Sequence, residues 1–355
     1  MIPNKEIVFQ LRKKHLLVFD EPNQVRLEIV KGCNLNCSFC GVTKDTIQFM
    51  TIETLNNILN GLTNKVKRIE FALHGEPSLH PKLNLFVEKV KKVFPHVQLY
   101  MITNGEIYKK IGFENILSIF KSGINFLQID LYNETSYNWF QENLIKFSKK
   151  LTTENIVISN YEIENSLPHS YKSGTVKVLL WGDRRMAFNA PKNITKNPHN
   201  WGGNLPLKQW SKLFLDKLKD FPIVKRCAEP YKYMTILYNG DVLICCHDGA
   251  KTTILGNCNE QSTIEIWQGE KFQQLRLLLR NGLRKNLLPC FLCNTKSLRV
   301  GLYPYWGKEY FYEECLDTIS EISVINIKEP LYFNLIEYHE KIKLLPKHIL
   351  NILRR

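Results

Sequence analysis

An α/β fold of parallel strand–helix units, followed by a smaller α+β region, is predicted by three observations. Short β-branched or apolar runs alternate with longer helix-patterned stretches from Val25 to about Leu180. The loops after the strand candidates carry cysteine, glycine and acidic residues, and in parallel units those loops are where a site is assembled. Past Leu180 the alternation stops, and a hairpin signal with spaced cysteines replaces it.

The strand candidates are residues 25–30, 68–73, 97–102, 126–131, 155–159 and 175–180, with helical patterns at 51–60, 83–94, 113–121 and 137–150. Six strands with intervening helices imply a parallel sheet buried on both faces. At 355 residues the chain suggests about two domains and a substantial core. Its 44% hydrophobic and 23% charged residues exclude disorder and fibre. Residues 1–15 lack the apolar run of a signal peptide and no stretch reaches bilayer length, so a cytoplasmic protein with no membrane partner is expected. Ten cysteines fit metal ligation in a reducing compartment better than a disulfide framework. The net charge of +14 invites nucleic acid, but the basic residues are spread over most predicted helices, so that partner is not favoured.

Directly after the first strand comes Lys31-Gly-Cys-Asn-Leu-Asn-Cys-Ser-Phe-Cys40, which places Cys33, Cys37 and Cys40 in the order C-x3-C-x2-C. Soft thiolates select zinc, copper(I) or iron–sulfur clusters, and a cubane held by three cysteines leaves one iron free. A zinc knuckle is the alternative, although knuckles usually bring paired C-x2-C units with four ligands. After the second strand stands His74-Gly75-Glu76-Pro77, where Gly75 can let backbone approach a ligand and Glu76 can pair with an ammonium group. Thr103-Asn104-Gly105 follows the third strand, Asp130 the fourth, and Asn160 ends the fifth. Asn-Gly also reads as a plain tight turn and Asp130 as a residue near a helix N-cap.

The cysteine spacing, with Phe39 just before its last cysteine, resembles the signature of the radical SAM superfamily, over roughly residues 24–180. The resemblance implies a partial (β/α)6 TIM-like barrel. It also implies a [4Fe-4S] cluster on Cys33, Cys37 and Cys40 whose open iron chelates the amino and carboxylate groups of S-adenosylmethionine (SAM). His74-Gly75-Glu76-Pro77 resembles the family's Gly-Gly-Glu-Pro loop, with His74 in place of the first glycine and no role assigned to it. By this resemblance Phe39, Gly75, Glu76, Asn104, Asp130 and Asn160 are the cofactor-binding candidates.

Residues 181–206, rich in Asn, Gly and Pro, read as a long connecting segment. Beyond it lie Cys227, a hairpin pattern over 234–246 around Asn239-Gly240, Cys245, a helical stretch near 270–281, and the pair Cys290 and Cys293. The hairpin can bring Cys227 and Cys245 beside the later pair. The spacing C-x12-G-x4-C followed by C-x2-C, with Ile266-Trp267 between, resembles the C-terminal extension of SPASM and Twitch radical SAM proteins. The further cysteine set of a full SPASM extension does not follow, since Arg299 and Gly301 occupy that stretch and only Cys315 remains. This implies the shorter Twitch form, with one auxiliary [4Fe-4S] cluster closed by Cys227, Cys245, Cys290 and Cys293; an all-cysteine zinc site is the rival. Cys246 should face away from Cys245, and Cys258 and Cys315 read as buried thiols. The resulting division is an extension at 1–23, a barrel and connecting loop at 24–206, an auxiliary-cluster region at 207–300, and an aromatic and helical tail at 301–355.

The resemblance implies an enzyme that reductively cleaves SAM to a 5′-deoxyadenosyl radical, which abstracts hydrogen from a substrate. The implied outcome is oxidative modification of a ribosomally synthesised peptide or a small metabolite. Peptide maturation comes first and metabolite oxidation close behind, although the residues before Val25 are too few for a leader-peptide-binding extension. An electron donor such as flavodoxin or ferredoxin is the implied partner. The alternative from a different class is a zinc-bearing, non-enzymatic nucleic-acid-binding protein.

Overall fold

The computed structural model describes residues 21–22, 24–37, 40, 46–132, 134–163, 175–181, 227, 229–280, 282–284, 287–291, 293, 299–301 and 309–311. The order runs β1 (Gln24–Leu27), β2 (Val30–Lys31), β3 (Gln48–Phe49), α1 (Ile52–Asn60), β4 (Arg68–Phe71), α2 (Leu83–Val93), β5 (Gln98–Thr103), α3 (Tyr108–Ile111), α4 (Glu114–Ser122), β6 (Phe126–Leu131), α5 (Glu134–Lys146), α6 (Ser148–Thr153), β7 (Val157–Ile163) and β8 (Thr175–Trp181). After the connecting segment come α7 (Glu229–Lys232), β9 (Met234–Ile236), β10 (Asp241–Leu243), β11 (Ile254–Asn257), α8 (Thr263–Gln268), α9 (Glu270–Arg280), α10 (Leu288–Phe291), β12 (Arg299–Gly301) and β13 (Glu309–Phe311).

Nine of these strands form one sheet in the order β11-β10-β9-β1-β4-β5-β6-β8-β7. β1, β4, β5 and β6 are parallel neighbours, as expected. The last two expected strands do not extend that parallel pairing: β8 runs antiparallel to β6 and lies between it and β7, with which it makes a second antiparallel pair, so that β7 points the same way as β6 and only β8 is reversed. Only residues 164–174 link β7 to β8, too short a connection for a parallel crossover, which takes a dozen residues or more.

Each parallel strand alternates. Val25, Leu27, Ile69, Phe71, Leu99, Met101, Leu127 and Ile129 are buried in the hydrophobic core. α1 and α2 bury Leu55, Ile58, Leu59, Phe86, Val87 and Val90 in the same core. The alternate positions instead carry Arg26, Glu28, Arg68, Glu70, Tyr100, Gln128 and Asp130. The expected double burial by apolar residues therefore fails on one face, which is polar.

The C-terminal region is joined to this sheet by backbone. β9 pairs in parallel with β1, Val25 opposite Met234, and the hairpin β9–β10 turns at Gly240, whose φ of 89° suits glycine. Domain limits at 23, 206 and 300 therefore fall on a chain whose two cysteine regions share a sheet.

Candidate metal and cofactor site

The first cysteine loop leaves the sheet at β2, which pairs with β3 through Val30 and Phe49. The amide of Glu76 donates to the Gly32 carbonyl at 3.0 Å. A Cβ on Gly75 would stand 1.8 Å from the Val30 carbonyl oxygen and 2.9 Å from that of Gly32. The close approach inferred for Gly75 is thus made first to the backbone of the cysteine loop, where any side chain would separate the two loops.

Cys33 is exposed, and Cys37 and Cys40 are half-buried. The Cys40 amide donates to the Cys37 carbonyl at 3.1 Å, and the Leu35 amide donates to the Cys33 sulfur at 3.4 Å. Asn104 reaches across from the end of β5, its amide nitrogen donating to Cys33 Sγ at 3.5 Å and to Asn34 Oδ1 at 2.9 Å. Burial pushes the Cys33 thiol up against the opposing Leu35 amide, and the neighbouring charges of Glu76 and Cys40 add to the rise. Phe39 lies outside the described residues.

Glu76 is buried, and its carboxylate holds two loops together. Its Oε1 accepts from the Ser78 amide at 3.0 Å and from the Ser78 and Thr103 hydroxyls at 2.5 Å each, while Oε2 accepts from the Asn104 amide at 2.8 Å. Burial pushes this carboxyl above its usual range while the hydrogen bonds from Ser78, Thr103 and Asn104 pull it back. These protein donors are a different set of partners from the ammonium suggested by the sequence. Gly105, at φ 75°, could take no Cβ without meeting Ile129 and Phe140 at 2.7 Å. Asp130 accepts from Gln128 at 2.8 Å on the polar face. Tyr132, which the sequence reading passed over, is pushed well above the usual phenol range by burial and then by the charges of Asp130, Cys37, Glu76 and Cys40. Asn160 lies in β7 and its side chain is outside the described residues.

The second set differs in burial. Cys227, Cys245, Cys290 and Cys293 are all buried. The Cys227 amide donates to the Leu279 carbonyl at 3.1 Å, which ties the start of this region to the end of α9, and the Cys293 amide donates to Cys290 at 3.2 Å. Burial pushes Cys245 well up, and Cys246, Cys290, Cys293 and Cys227 raise it further. Burial also drives Cys290 upward, with Cys293 and Cys227 next, and carries Cys227 up to about 12. Four buried cysteines suit a metal centre that replaces their protons, and this donor set fits a closed cluster. The three accessible thiols of the first loop fit a centre with an open position.

Cys246 points elsewhere, as its place beside Cys245 suggested. Its sulfur accepts from Arg26, whose guanidinium also lies 3.8 Å from the Tyr233 ring centroid and pairs with Glu70 at 2.5 Å. Arg68 pairs with the other Glu70 oxygen at 2.5 Å, and against the opposing effect of burial the two guanidiniums hold Glu70 below the usual carboxylate range. Glu229, Cys246 and His247 bring one potential ligand atom each within 4.8 Å of one another, and Arg26 supplies a counter-charge to both Cys246 and Glu229. Cys258 is buried, with Thr263 donating to its sulfur at 3.8 Å; Cys315 lies outside the described residues.

His74 is buried, and its Nε2 lies 3.0 Å from the Cys246 carbonyl oxygen. Its Nδ1 faces Glu28 at 3.9 Å, and Glu28 in turn receives Lys251 Nζ at 3.1 and 3.3 Å. Burial lowers His74 to about 4, so the ring is neutral. Lys251 adopts φ 55°, uncommon for a residue with a side chain. Its loop is held by Asp248, which accepts from the amides and hydroxyls of Thr252 and Thr253 at 2.7–3.0 Å. The sequence reading missed Arg26, Glu28 and Lys251. Polar–apolar alternation in Gln24-Val-Arg-Leu-Glu28 signalled the first two, whereas only the folded loop brings Lys251 to Glu28.

Among the described residues no helix is long and apolar enough to cross a membrane. Residues 27–136 match the radical SAM superfamily, and residues 227–294 match the SPASM iron–sulfur cluster-binding domain. An S-adenosyl-L-methionine-dependent 2-deoxy-scyllo-inosamine dehydrogenase of Niallia circulans is 22% identical over 286 residues, covering 78% of this chain and 95% of that protein. A UPF0026 protein of Helicobacter pylori strain J99 is 26% identical over 190 residues, covering 46% of this chain and 62% of its own. The crystal structure of BtrN in complex with AdoMet and 2-DOIA shares the fold, with a TM-score of 0.53, 18% identity, and coverage of 80% of this chain and 98% of BtrN. The zinc-bearing nucleic-acid-binding reading finds no support in these matches.

Proposed function

Since the chain belongs to the radical SAM superfamily and carries a SPASM-type iron–sulfur region, we propose that it dehydrogenates a small, hydroxylated, polar metabolite. When bound, the first cluster and SAM supply a 5′-deoxyadenosyl radical by one-electron cleavage of SAM, and an auxiliary cluster supplies a one-electron acceptor. Cys33, Cys37 and Cys40 would hold the first; Cys227, Cys245, Cys290 and Cys293 would hold one auxiliary centre.

The observation that carries the reading is the polar face of the parallel sheet. The ion pairs Arg26–Glu70 and Lys251–Glu28, whose cations are partly open to solvent, lie there, while half-buried Gln128 and Asp130 present an amide and acceptor oxygens. Charged and amide groups fixed on a sheet suit the hydroxyls and amines of a compact polyol, and a site built to hydrogen-bond such groups discriminates strongly against analogues that lack them. Loss of one hydrogen atom, one electron and one proton converts a secondary alcohol to a ketone, so the substrate's own balance closes. The dehydrogenase relative, nearly all of whose length the chain covers, points the same way. Peptide maturation, the first expectation from the sequence, therefore becomes the second choice.

The same reading includes a flavodoxin or ferredoxin as electron donor in the cytoplasm; a net charge of +14 favours an acidic electron-transfer partner. Contacts of Gly75, Glu76, Asn104 and Asp130 with SAM, and of Phe39 and Asn160 if they line the site, belong to it too. The test is anaerobic incubation with SAM, reductant and amino-cyclitols carrying deuterium at the carbinol carbon. Deuterium in 5′-deoxyadenosine together with a ketone product is the expected result. Label transfer only from a ribosomal peptide would overturn the metabolite reading.

A further inference from the structure

Two loops that would serve different clusters touch through one residue, and it stands where the SAM-loop pattern has glycine. We propose that His74 is a positioning residue that couples the SAM-binding loop to the auxiliary centre, so that occupancy of one site alters the redox equilibrium of the other. The inference rests on the radical SAM reading above, with Cys245 as an auxiliary-cluster ligand.

A carbonyl can only accept, so the neutral His74 ring donates its Nε2–H to Cys246 at 3.0 Å, one residue from Cys245. On the other side His74 precedes Gly75, which is pressed onto the Val30 and Gly32 carbonyls, and Glu76, whose amide donates to Gly32. The start of the first cysteine loop is therefore connected to the Cys245-Cys246 turn through Glu76, Gly75 and His74, with one hydrogen bond at each end. Cys246 is fixed twice, since its sulfur accepts from Arg26 on β1. Glu28 and Lys251 bracket the imidazole from the first strand and from the loop after Cys246. Every group in the path is buried or half-buried, so a ligand-induced shift of the Gly75–Glu76 backbone is passed on to packed neighbours rather than lost in solvent. A glycine at position 74 would remove this donor from between the two loops.

Coupling of this kind is a free energy and is reciprocal: if the ligand shifts the cluster's potential, the cluster's oxidation state must shift ligand affinity by the corresponding factor. The experiment uses the anaerobically reconstituted full chain and S-adenosylhomocysteine, which presents the same amino and carboxylate groups and is not cleaved. The auxiliary cluster is titrated by its electron paramagnetic resonance signal with and without that ligand, and ligand affinity is measured by dialysis in both oxidation states. Parent protein should show affinities differing by about fivefold or more between states, the lower end of ordinary coupling. His74→Gly at matched iron content should abolish the difference, and His74→Asn, whose carboxamide can still donate to a carbonyl, should keep part of it. A difference that persists in His74→Gly overturns the proposal. So does equal affinity in the two states of the parent, whatever the variants do. Absence of iron and sulfide, or of ligand binding, in the parent would sink the radical SAM reading and this inference with it, whereas normal loading and binding without linkage sinks the inference alone.

Discussion

Gly75 and Glu76 carry separate burdens, and substitution separates them. At Gly75 a methyl group would sit 1.8 Å from a backbone oxygen that has no rotamer to escape into. Gly75→Ala should cost about 1–3 kcal/mol as an overpacking substitution and pull the Gly75–Glu76 loop off the cysteine loop, read as a lower denaturation midpoint and, on the proposed function, lower SAM binding at equal iron content. Glu76→Gln keeps the size but replaces one acceptor oxygen with a donor, facing either the Asn104 amide or the Ser78–Thr103 pair. SAM affinity should fall by roughly one to two powers of ten, measured by equilibrium dialysis; unchanged affinity would confine Glu76 to bracing its own loops. His74 yields a pH effect. Its folded value of about 4 lies below the ordinary 6.5, so the unfolded chain binds more protons and stability falls as pH drops from 6.5 toward 4. Between pH 7 and 5.5 that amounts to about 1 kcal/mol, which His74→Asn should remove from the pH slope of chemical denaturation. Glu76 and Asn104 were visible from the sequence as residues at strand ends; the donors around Glu76 were not, because they come from separate loops.

At the level of elements, the sequence located strands and helices well and their directions less well. β-branched runs marked β6 at its observed limits, 126–131, and marked β7 and β8 within a few residues. Such runs identify a strand without saying which way it points, and the short 164–174 link decides that for β8. The polar face was also legible as alternation, in Arg68-Ile-Glu-Phe71 for example, had burial on both faces not been assumed. The loop after β10 has no comparable signature. Its left-handed Lys251 depends on Asp248, and Lys251→Met would leave Glu28 buried without its cation. The loss, read as the change in urea midpoint, should lie at or below the ~3–5 kcal/mol of a broken buried pair, because Lys251 keeps some solvent and Glu28 can protonate.

For the molecule as a whole, the cysteines divide into groups with different consequences. Cys227→Ala or Cys290→Ala should lower iron content and stability together, because a closed centre loses its metal with one ligand. Cys258→Ala, at a buried thiol that accepts from Thr263 and is not one of the proposed ligands, should leave iron unchanged. Equal iron loss in all three variants would mean the ligand set is wrong. Spacing and the resemblance it carries nominated Cys227, Cys245, Cys290 and Cys293, because C-x2-C and a Gly-turn hairpin are local features. The interlock of the two cysteine regions through Arg26, Cys246 and His74 was not legible, since it links residues up to 220 positions apart.

The parallel pairing of β1 with both β4 and β9 has a consequence for how the chain can be divided. A fragment ending before Met234 would leave β1 as a bare margin of unpaired amides and carbonyls, a surface that recruits other strands. Such a fragment should self-associate as its concentration rises, visible by light scattering, while the intact chain melts in one calorimetric transition across both cysteine regions. One such transition would make the boundary between them a change of chemistry inside a single cooperative body.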